Sequence, residues 1–197
     1  MNNIINYANV LSIVRIAFVP IFLVTLFGGF TTNEMLLRVC ALLLFGLICG
    51  TDFVDGIVAR KFNQVSKLGE WLDLIADFIF LLATYLLLFV MGVAPVWMTV
   101  VILLKFIDYI ITSRFLKDVN EEKSFVHDLL GRIVVVLYTF VIGAILVNSL
   151  LIFKVLTETL LQGIFWFLLV LSLISSVYRI ILVLTRERVL ETGVSMD

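Results

Sequence analysis

The segment DFVDGIVARKFNQVSKLGEWLDLIAD, which runs from Asp52 to Asp77, sets four aspartates between long apolar stretches. Upstream the chain is largely apolar from about residue 35, and downstream it is largely apolar to about residue 91. Charged groups inside apolar segments of this length are costly in a membrane and therefore mark functional positions. The segment predicts two membrane helices that carry an acidic site.

Helical spacing places the motif positions of each helix on one face. In the first helix, Asp52, Asp55 and Ala59 stand at i, i+3 and i+7. The second helix has its own face at i, i+4 and i+8, formed by Gly69, Asp73 and Asp77. Because a short loop joins the two helices, we expect them to be antiparallel neighbours whose acidic faces meet.

Six apolar segments are long enough to span a bilayer, which takes about 20 residues. They are Ala8–Phe27, Met35–Val58, Gly69–Met91, Pro95–Leu116, His127–Phe153 and Leu160–Leu184. Strands are not expected, because an open sheet edge cannot be satisfied in lipid. The sequence thus predicts an all-α integral membrane bundle of six transmembrane helices, which forms one domain over residues 1–197.

Basic residues are concentrated in the loops on one side of this layout. That side carries Arg60, Lys61, Lys67, Arg114, Lys117, Lys123, Arg132, Arg179, Arg186 and Arg188, whereas the other side has only Arg38 and Lys154 near its loops. The positive-inside rule puts the basic loops and both termini in the cytoplasm. We therefore expect a multi-pass protein of the plasma membrane whose active site faces the cytoplasm.

Composition narrows the class of protein further. Hydrophobic residues make up 62% of the chain and charged residues 15%, with a net charge of −1. The apolar share exceeds that of soluble domains, roughly 45–50%, and the charge gives no sign of a nucleic-acid partner. Cys40 and Cys49 lie in an apolar run, which predicts buried free thiols.

Four neighbouring carboxylates need a counter-charge, because they cannot all stay ionised beside one another. Arg60 is one partner and is not sufficient, whereas divalent cations resolve the conflict. Oxygen ligands favour Mg²⁺, Mn²⁺ or Ca²⁺ over zinc or copper, and a two-metal site would suit a phosphoryl displacement. The alternative is a buried ion-pair network that only holds two helices together, for which four acids and one arginine are poorly suited.

The segment resembles the signature of the CDP-alcohol phosphotransferase family at every fixed position: Asp52-x-x-Asp55-Gly56-x-x-Ala59-Arg60, eight residues, then Gly69-x-x-x-Asp73-x-x-x-Asp77. The resemblance implies that two Mg²⁺ or Mn²⁺ ions are bound by Asp52, Asp55, Asp73 and Asp77, and that Asp77 is also the general base. It implies a CDP pocket lined by Gly56, Ala59, Arg60 and Gly69. The implied reaction transfers a phosphatidyl group from CDP-diacylglycerol to a small alcohol and releases CMP.

Two stretches bear on the identity of the alcohol. The segment NVLSIVR at residues 9–15, followed by Pro20, resembles the start of bacterial phosphatidylglycerophosphate synthases, and so does Val96-Trp97. This resemblance implies glycerol 3-phosphate as acceptor. The fourth helix departs from it, because an Arg-Glu-Phe run is common there and this chain has Lys105-Phe-Ile-Asp108-Tyr109. Inositol phosphate, serine and phosphatidylglycerol remain alternative acceptors.

A phosphorylated acceptor needs a cationic pocket, for which the candidates are Arg114, Arg132 and Arg179. Their alternative role is that of ordinary flanking charge in contact with anionic lipids. Lys105 and Asp108 stand at i and i+3, so a mutual ion pair is the first interpretation and acceptor contact the second.

Two further residues have open roles. Arg15 either extends to the membrane surface or pairs with an aspartate. His127 is interpreted as a solvated or capping residue.

Two other classes of membrane protein are alternatives to a phosphatidyltransferase, and each predicts a different sequence pattern. An intramembrane prenyltransferase would place its aspartates in separate helix pairs, whereas here they fall in one pair. A cation carrier would show inverted repeats or broken helices with acids at the midplane. CDP-diacylglycerol, the alcohol and membrane lipids are the expected partners, and the sequence leaves a homodimer open.

Overall fold

The computed structural model of the chain consists of six α-helices: α1 (Tyr7–Thr31), α2 (Met35–Lys61), α3 (Lys67–Val90), α4 (Val96–Leu116), α5 (Leu129–Leu150) and α6 (Glu158–Thr192). The structure describes residues 7–61, 67–116, 129–151 and 155–192. Within these ranges it describes the side chains of residues 13–51, 69, 71–113, 130–151 and 155–185. His127 lies outside the described residues.

The all-α prediction is confirmed for the described ranges, where no strand occurs. Every predicted segment falls on a helix, and α6 continues beyond the predicted Leu184 to Thr192. Five helices contain apolar stretches long enough to cross a membrane, and α2 contributes a shorter one, Met35–Thr51, before its first aspartate. Helices suit this environment because they satisfy their backbone hydrogen bonds within the segment.

The six helices pack in a closed ring. Along the ring, α1 is followed by α2, α5, α6, α4 and α3, and α3 in turn packs against α1. A smaller contact between α3 and α5 crosses the interior. This order differs from the order in the chain, and it makes α1 the shared neighbour of the two helices that carry the aspartates.

The interior of the ring combines aromatic packing with a few buried hydrogen bonds. Phe22, Phe45 and Phe80 bring α1, α2 and α3 together, with ring centroids 5.6 to 6.4 Å apart. The Tyr85 hydroxyl donates to the Tyr138 carbonyl at 3.1 Å, and the Tyr138 hydroxyl lies 2.5 Å from the Ser172 hydroxyl. These contacts tie α3, α5 and α6 together, as expected where lipid cannot satisfy polar groups.

Arg38 of α2 binds the C-terminal ends of α1 and α5. Its Nε donates to the Gly29 carbonyl at 2.9 Å and its Nη1 to the Ser149 carbonyl at 2.7 Å. Its Nη2 also contacts the Asn33 side chain. A cation at helix C-termini binds unsatisfied carbonyls and complements the helix dipole. Arg38 is therefore a structural residue, remote from the aspartates.

At Gly29, α1 and α2 approach each other closely, and we expect this position to tolerate no side chain. A Cβ placed there would lie 3.0 Å from the Arg38 backbone nitrogen. Overpacking typically lowers the free energy of unfolding by about 1–3 kcal/mol. Gly29→Val should therefore lower the thermal midpoint of unfolding in detergent. Gly46→Val on α2 is the matched control, because nothing lies within 4 Å of its Cβ position. Equal midpoints for the two variants would contradict this close approach.

Candidate active site

The described half of the acidic motif converges on one arginine. Asp73 and Asp77 lie one turn apart on α3, and Arg15 lies on α1. The Nη1 of Arg15 donates to Oδ1 of Asp73 at 2.9 Å and to Oδ1 of Asp77 at 2.8 Å. Of the two roles left open for Arg15, the structure shows pairing with aspartates. Sequence spacing could not reveal this contact, because the partners are 58 and 62 positions apart.

The burial of the three groups is unequal. The side chain of Arg15 is 0% exposed, whereas those of Asp73 and Asp77 are 46% and 37% exposed. The arginine therefore lies behind the carboxylates, within the packed helices, and the carboxylates keep open surface. A buried arginine is retained in such a setting when it is paired.

The other half of the motif lies on α2. Asp52, Asp55, Gly56, Ala59 and Arg60 are in its C-terminal part, and their side chains are outside the described set. Gly69, in the first turn of α3, is partly buried. The assignments of these residues to the metals and to CDP thus stay predictions.

The predicted meeting of the acidic faces of α2 and α3 involves Asp52 and Asp55, whose side chains lie outside the described set, so it stays a prediction. Among the described residues, α1 packs against each of these helices more extensively than they pack against each other. Phe45 of α2 and Phe80 of α3 do contact each other, with ring centroids 6.2 Å apart.

The described carboxylates fit a cation-binding site. Oδ1 atoms from two successive turns lie within 2.9 Å of one guanidinium nitrogen, so both carboxylates reach a single cationic position. The donors are all oxygen, the ligand type of Mg²⁺ and Mn²⁺. Among the described side chains no group of three or more potential ligands occurs. Asp73 and Asp77 would therefore hold a metal together with ligands from elsewhere, for which Asp52 and Asp55 are the candidates.

An apolar groove adjoins the aspartates. Its volume is about 390 Å³, and its apolar lining includes Phe45, Ile48, Phe80, Leu81, Val136 and Phe140 from α2, α3 and α5. Arg15 and Asp77 are its charged lining residues. At Gly143 an added Cβ would lie 2.9 Å from the Phe45 ring, so α5 and α2 approach closely beside the groove. The groove offers an apolar ligand a place in direct continuity with Asp77.

Polar side chains of α4 and α6 form a row of contacts, the polar seam: Lys105, Asp108, Thr112 and Ser113 on α4, and Ser175, Ser176 and Arg179 on α6. Lys105 is 8% exposed, and its Nζ lies 2.8 Å from the Ser175 hydroxyl and 3.6 Å from the Asp108 carboxylate. The Ser176 hydroxyl donates to Asp108 at 2.8 Å. The predicted Lys105–Asp108 ion pair is confirmed.

Arg179 continues the seam in the direction of the C-terminal end of α4. It is fully buried, and its Nε donates to the Thr112 hydroxyl at 2.7 Å and its Nη2 to the Ser113 hydroxyl at 2.8 Å. Its guanidinium also lies 4.7 Å from the Tyr109 ring centroid. The interpretation of Arg179 as ordinary flanking charge is wrong, because the side chain faces α4 and not lipid or water. Arg132 is exposed in the first turn of α5, and the side chain of Arg114 is not described.

The hydroxyl partners of this seam were missed in the sequence. A signal was present on α6, where Ser175 and Arg179 stand at i and i+4 within an apolar helix and Ser176 adjoins Ser175. On α3, Phe78 stacks on Phe106 of α4, with ring centroids 3.7 Å apart. These two residues directly follow Asp77 and Lys105 in the chain.

Apolar helices of membrane-spanning length define a membrane protein, and its described residues include an acidic site with an adjoining apolar groove. The family model described as CDP-alcohol phosphatidyltransferase matches residues 5–184 of the chain. The chain therefore belongs to the CDP-alcohol phosphatidyltransferase family and is a phosphatidyltransferase of phospholipid synthesis. The resemblance seen in the motif is confirmed.

Relatives in bacteria support the same class. An enzyme of Bacillus subtilis (strain 168) named CDP-diacylglycerol--glycerol-3-phosphate 3-phosphatidyltransferase is 28% identical over 153 residues, which cover 74% of this chain and 78% of the relative. A protein of the same name in Rickettsia bellii (strain RML369-C) is 46% identical over 72 residues, 36% of this chain and 38% of the relative. A Streptomyces coelicolor protein named cardiolipin synthase (CMP-forming) is 36% identical over 106 residues, 52% of this chain and 47% of the relative.

Proposed function

We propose that this chain transfers a phosphatidyl group from CDP-diacylglycerol to glycerol 3-phosphate and releases CMP. The observation that carries the proposal is the position of Asp77, which converges with Asp73 on one cationic point and also lines an apolar groove. The Bacillus and Rickettsia relatives carry both substrates in their names. A charged reaction centre beside a lipid-sized groove suits a substrate with a pyrophosphate and two acyl chains.

The donor would occupy two binding regions, one for its acyl chains and one for its CDP group. Acyl carbon chains fit the groove between α2 and α5, where they replace lipid contacts with protein contacts. The CDP group would lie against Gly56, Ala59, Arg60 and Gly69, where small side chains let a bulky ligand approach the helix backbone. Asp52, Asp55, Asp73 and Asp77 would hold two Mg²⁺ or Mn²⁺ ions, which would neutralise charge on the pyrophosphate.

The reaction is an in-line displacement at phosphorus. The acceptor hydroxyl oxygen attacks the phosphatidyl phosphorus, and the bond between that phosphorus and the bridging oxygen breaks. CMP leaves with the electron pair of the broken bond, and Asp77 takes the hydroxyl proton. A carboxylate within hydrogen-bond reach of the hydroxyl can do this, and its partial exposure leaves room for an acceptor.

The phosphate of the acceptor would be attracted by cations near the seam between α4 and α6. Arg179 is buried there, and water screens a buried charge less than an exposed one. The charge of Lys105 is offset by the Asp108 carboxylate, 3.6 Å away. Arg114 and Arg132 are the further candidates for direct contact. Serine and a phosphate-free alcohol would gain less from this arrangement than glycerol 3-phosphate or inositol phosphate.

We infer that all six helices span the plasma membrane and that both termini and the acidic site face the cytoplasm. The asymmetry of basic residues supports this orientation. At the opposite end of the bundle, Arg38 donates hydrogen bonds to the carbonyls of Gly29 and Ser149. Its charge therefore serves to join helices and is not an exposed flanking charge.

Release of CMP tests the proposal directly. Purified protein in detergent is supplied with CDP-diacylglycerol and either Mg²⁺ or Mn²⁺, and CMP is measured with a panel of acceptors. We expect CMP formation only with metal and a preference for glycerol 3-phosphate. Faster turnover with phosphatidylglycerol, inositol phosphate or serine would replace the proposed acceptor.

Filling the groove should weaken binding of long-chain donors. Thr139 lines the groove on α5, so Thr139→Trp is expected to raise the KM for dioleoyl CDP-diacylglycerol roughly five-fold or more, the effect of displacing about one buried methylene or more. The KM for a dioctanoyl donor should change less. Val147→Phe is the control, since this residue of α5 is 46% exposed and does not line the groove. An equal rise for both donors would place the acyl chains elsewhere.

A further inference from the structure

Arg15 is a cation outside the acidic motif that pairs with two of the motif's aspartates, Asp73 and Asp77. It lies on α1, in the apolar stretch Ile13–Thr31, and its side chain is completely buried. A charged side chain at such a position is costly unless it has partners of opposite charge. Its partners include two carboxylates that belong to the motif. The contact therefore links a helix outside the motif to the chemistry of the site.

The geometry of the contact is that of one cation shared by two anions. A single nitrogen, Nη1, donates to an oxygen of Asp73 and to an oxygen of Asp77. Carboxylates one helical turn apart repel each other, and this shared donor offsets the repulsion. Both carboxylates remain partly exposed on the other side, so a second cation can approach them.

A metal ion on these carboxylates would lie within a few ångströms of the guanidinium. Two positive charges at that separation repel each other, and in partly buried surroundings water screens the repulsion incompletely. The positive charge of Arg15 would therefore have two effects: it would stabilise the site without metal, and it would weaken metal binding. Arg15 makes these contacts from a fully buried position on α1.

We propose that Arg15 is a positioning residue that serves as the resident counter-cation of Asp73 and Asp77, keeping the site folded without metal and weakening its affinity for divalent cations. The inference rests on the proposed metal site. It predicts that removal of the charge at position 15 destabilises the metal-free protein and tightens metal binding. A residue that only orients metal ligands would have the opposite effect on affinity.

The experiment measures the thermal midpoint of detergent-solubilised protein in EDTA and along a Mn²⁺ titration, which gives an apparent Kd for Mn²⁺ without any turnover. For Arg15→Gln we expect a lower midpoint in EDTA and a Kd about tenfold lower than that of the wild type, equivalent to ~1.4 kcal/mol. Arg15→Lys keeps the charge and should bind Mn²⁺ within about threefold of the wild type. Arg38→Gln is the matched control, because Arg38 also joins helices but lies at the opposite end of the bundle. It should lower the midpoint without changing the Kd.

The outcomes separate this inference from the proposed function. If the wild type shows no stabilisation by Mn²⁺, or if Asp73→Asn shows as much as the wild type, the metal site and the counter-cation both fail. If the wild type binds Mn²⁺ and Arg15→Gln has an unchanged or higher Kd, the metal site stands and the counter-cation is overturned. Should Arg15→Gln fail to fold, a Kd more than about tenfold away from wild type in Arg15→Lys would overturn the inference, because the charge is retained there.

Discussion

Asp73→Asn is expected to reduce CMP formation by at least ~10²-fold, the scale of losing one preorganised charge-stabilising group. The amide keeps the size of the side chain and removes the negative charge that a metal ion requires. Asp73 is 46% exposed and pairs with Arg15, so its loss also leaves that buried arginine with one carboxylate fewer. The same loss is expected for Asp52→Asn and Asp55→Asn on α2. Initial rates at saturating CDP-diacylglycerol and glycerol 3-phosphate provide the measurement.

The control for this prediction is Glu158→Gln. Glu158 is also an exposed carboxylate, but it lies in the first turn of α6 beside Arg38 in the cavity at the opposite end of the bundle. Its rate should stay within about twofold of wild type, since surface changes away from special features have small effects. Addition of EDTA should abolish the wild-type rate, and excess Mn²⁺ should restore it. Retention of the wild-type rate by Asp73→Asn, or activity of the wild type in EDTA, would refute the two-metal site.

Arg179→Gln is expected to raise the KM for glycerol 3-phosphate by at least ~10-fold, in the range found when a buried charge loses its partner. Glutamine can still donate to Thr112 or Ser113, which now bind the guanidinium. The substitution therefore removes mainly the positive charge. The KM for CDP-diacylglycerol should change little, because Arg179 does not line the groove proposed for its acyl chains. Steady-state kinetics with both substrates varied separate the two effects.

Two further variants locate the phosphate. Arg179→Lys keeps the charge but loses the planar fork, so its acceptor KM should lie between those of wild type and Arg179→Gln. Arg132→Ala removes an exposed charge that water screens, and its effect should be smaller. If Arg132→Ala has the larger effect and Arg179→Gln has none, the phosphate binds near the exposed first turn of α5, where Arg132 lies. If neither changes the KM, the acceptor carries no phosphate or binds near Arg114.

The pattern of apolar segments was sufficient to predict the number and type of helices. A run of about 20 apolar residues in a membrane has few alternatives to a helix, because its backbone must satisfy its own hydrogen bonds. The predicted Met35–Val58 and Pro95–Leu116 thus correspond closely to α2 and α4. The end of α6 was predicted less well, since polarity rises after Leu184 while the helix continues to Thr192.

The family was identified by the resemblance of the acidic motif to the signature of that family. On each helix the two aspartates lie about one turn apart, and such distances are fixed by helix geometry whatever the rest of the chain does. The pairing of Lys105 with Asp108 was predictable for the same reason, because the two residues are three positions apart on one helix.

Contacts between helices were decided only by the tertiary structure. Arg15 reaches Asp73 and Asp77 because α1 packs against both α2 and α3, and Arg179 is buried because α6 packs against α4. Side chains in a membrane bundle meet according to how close two helix surfaces can pack. That closeness depends on all the residues along both surfaces at once, as at Gly29 between α1 and α2. The sequence therefore determined which residues are predicted to carry the chemistry, and the packing of the ring determined which cations lie beside Asp73 and Asp77.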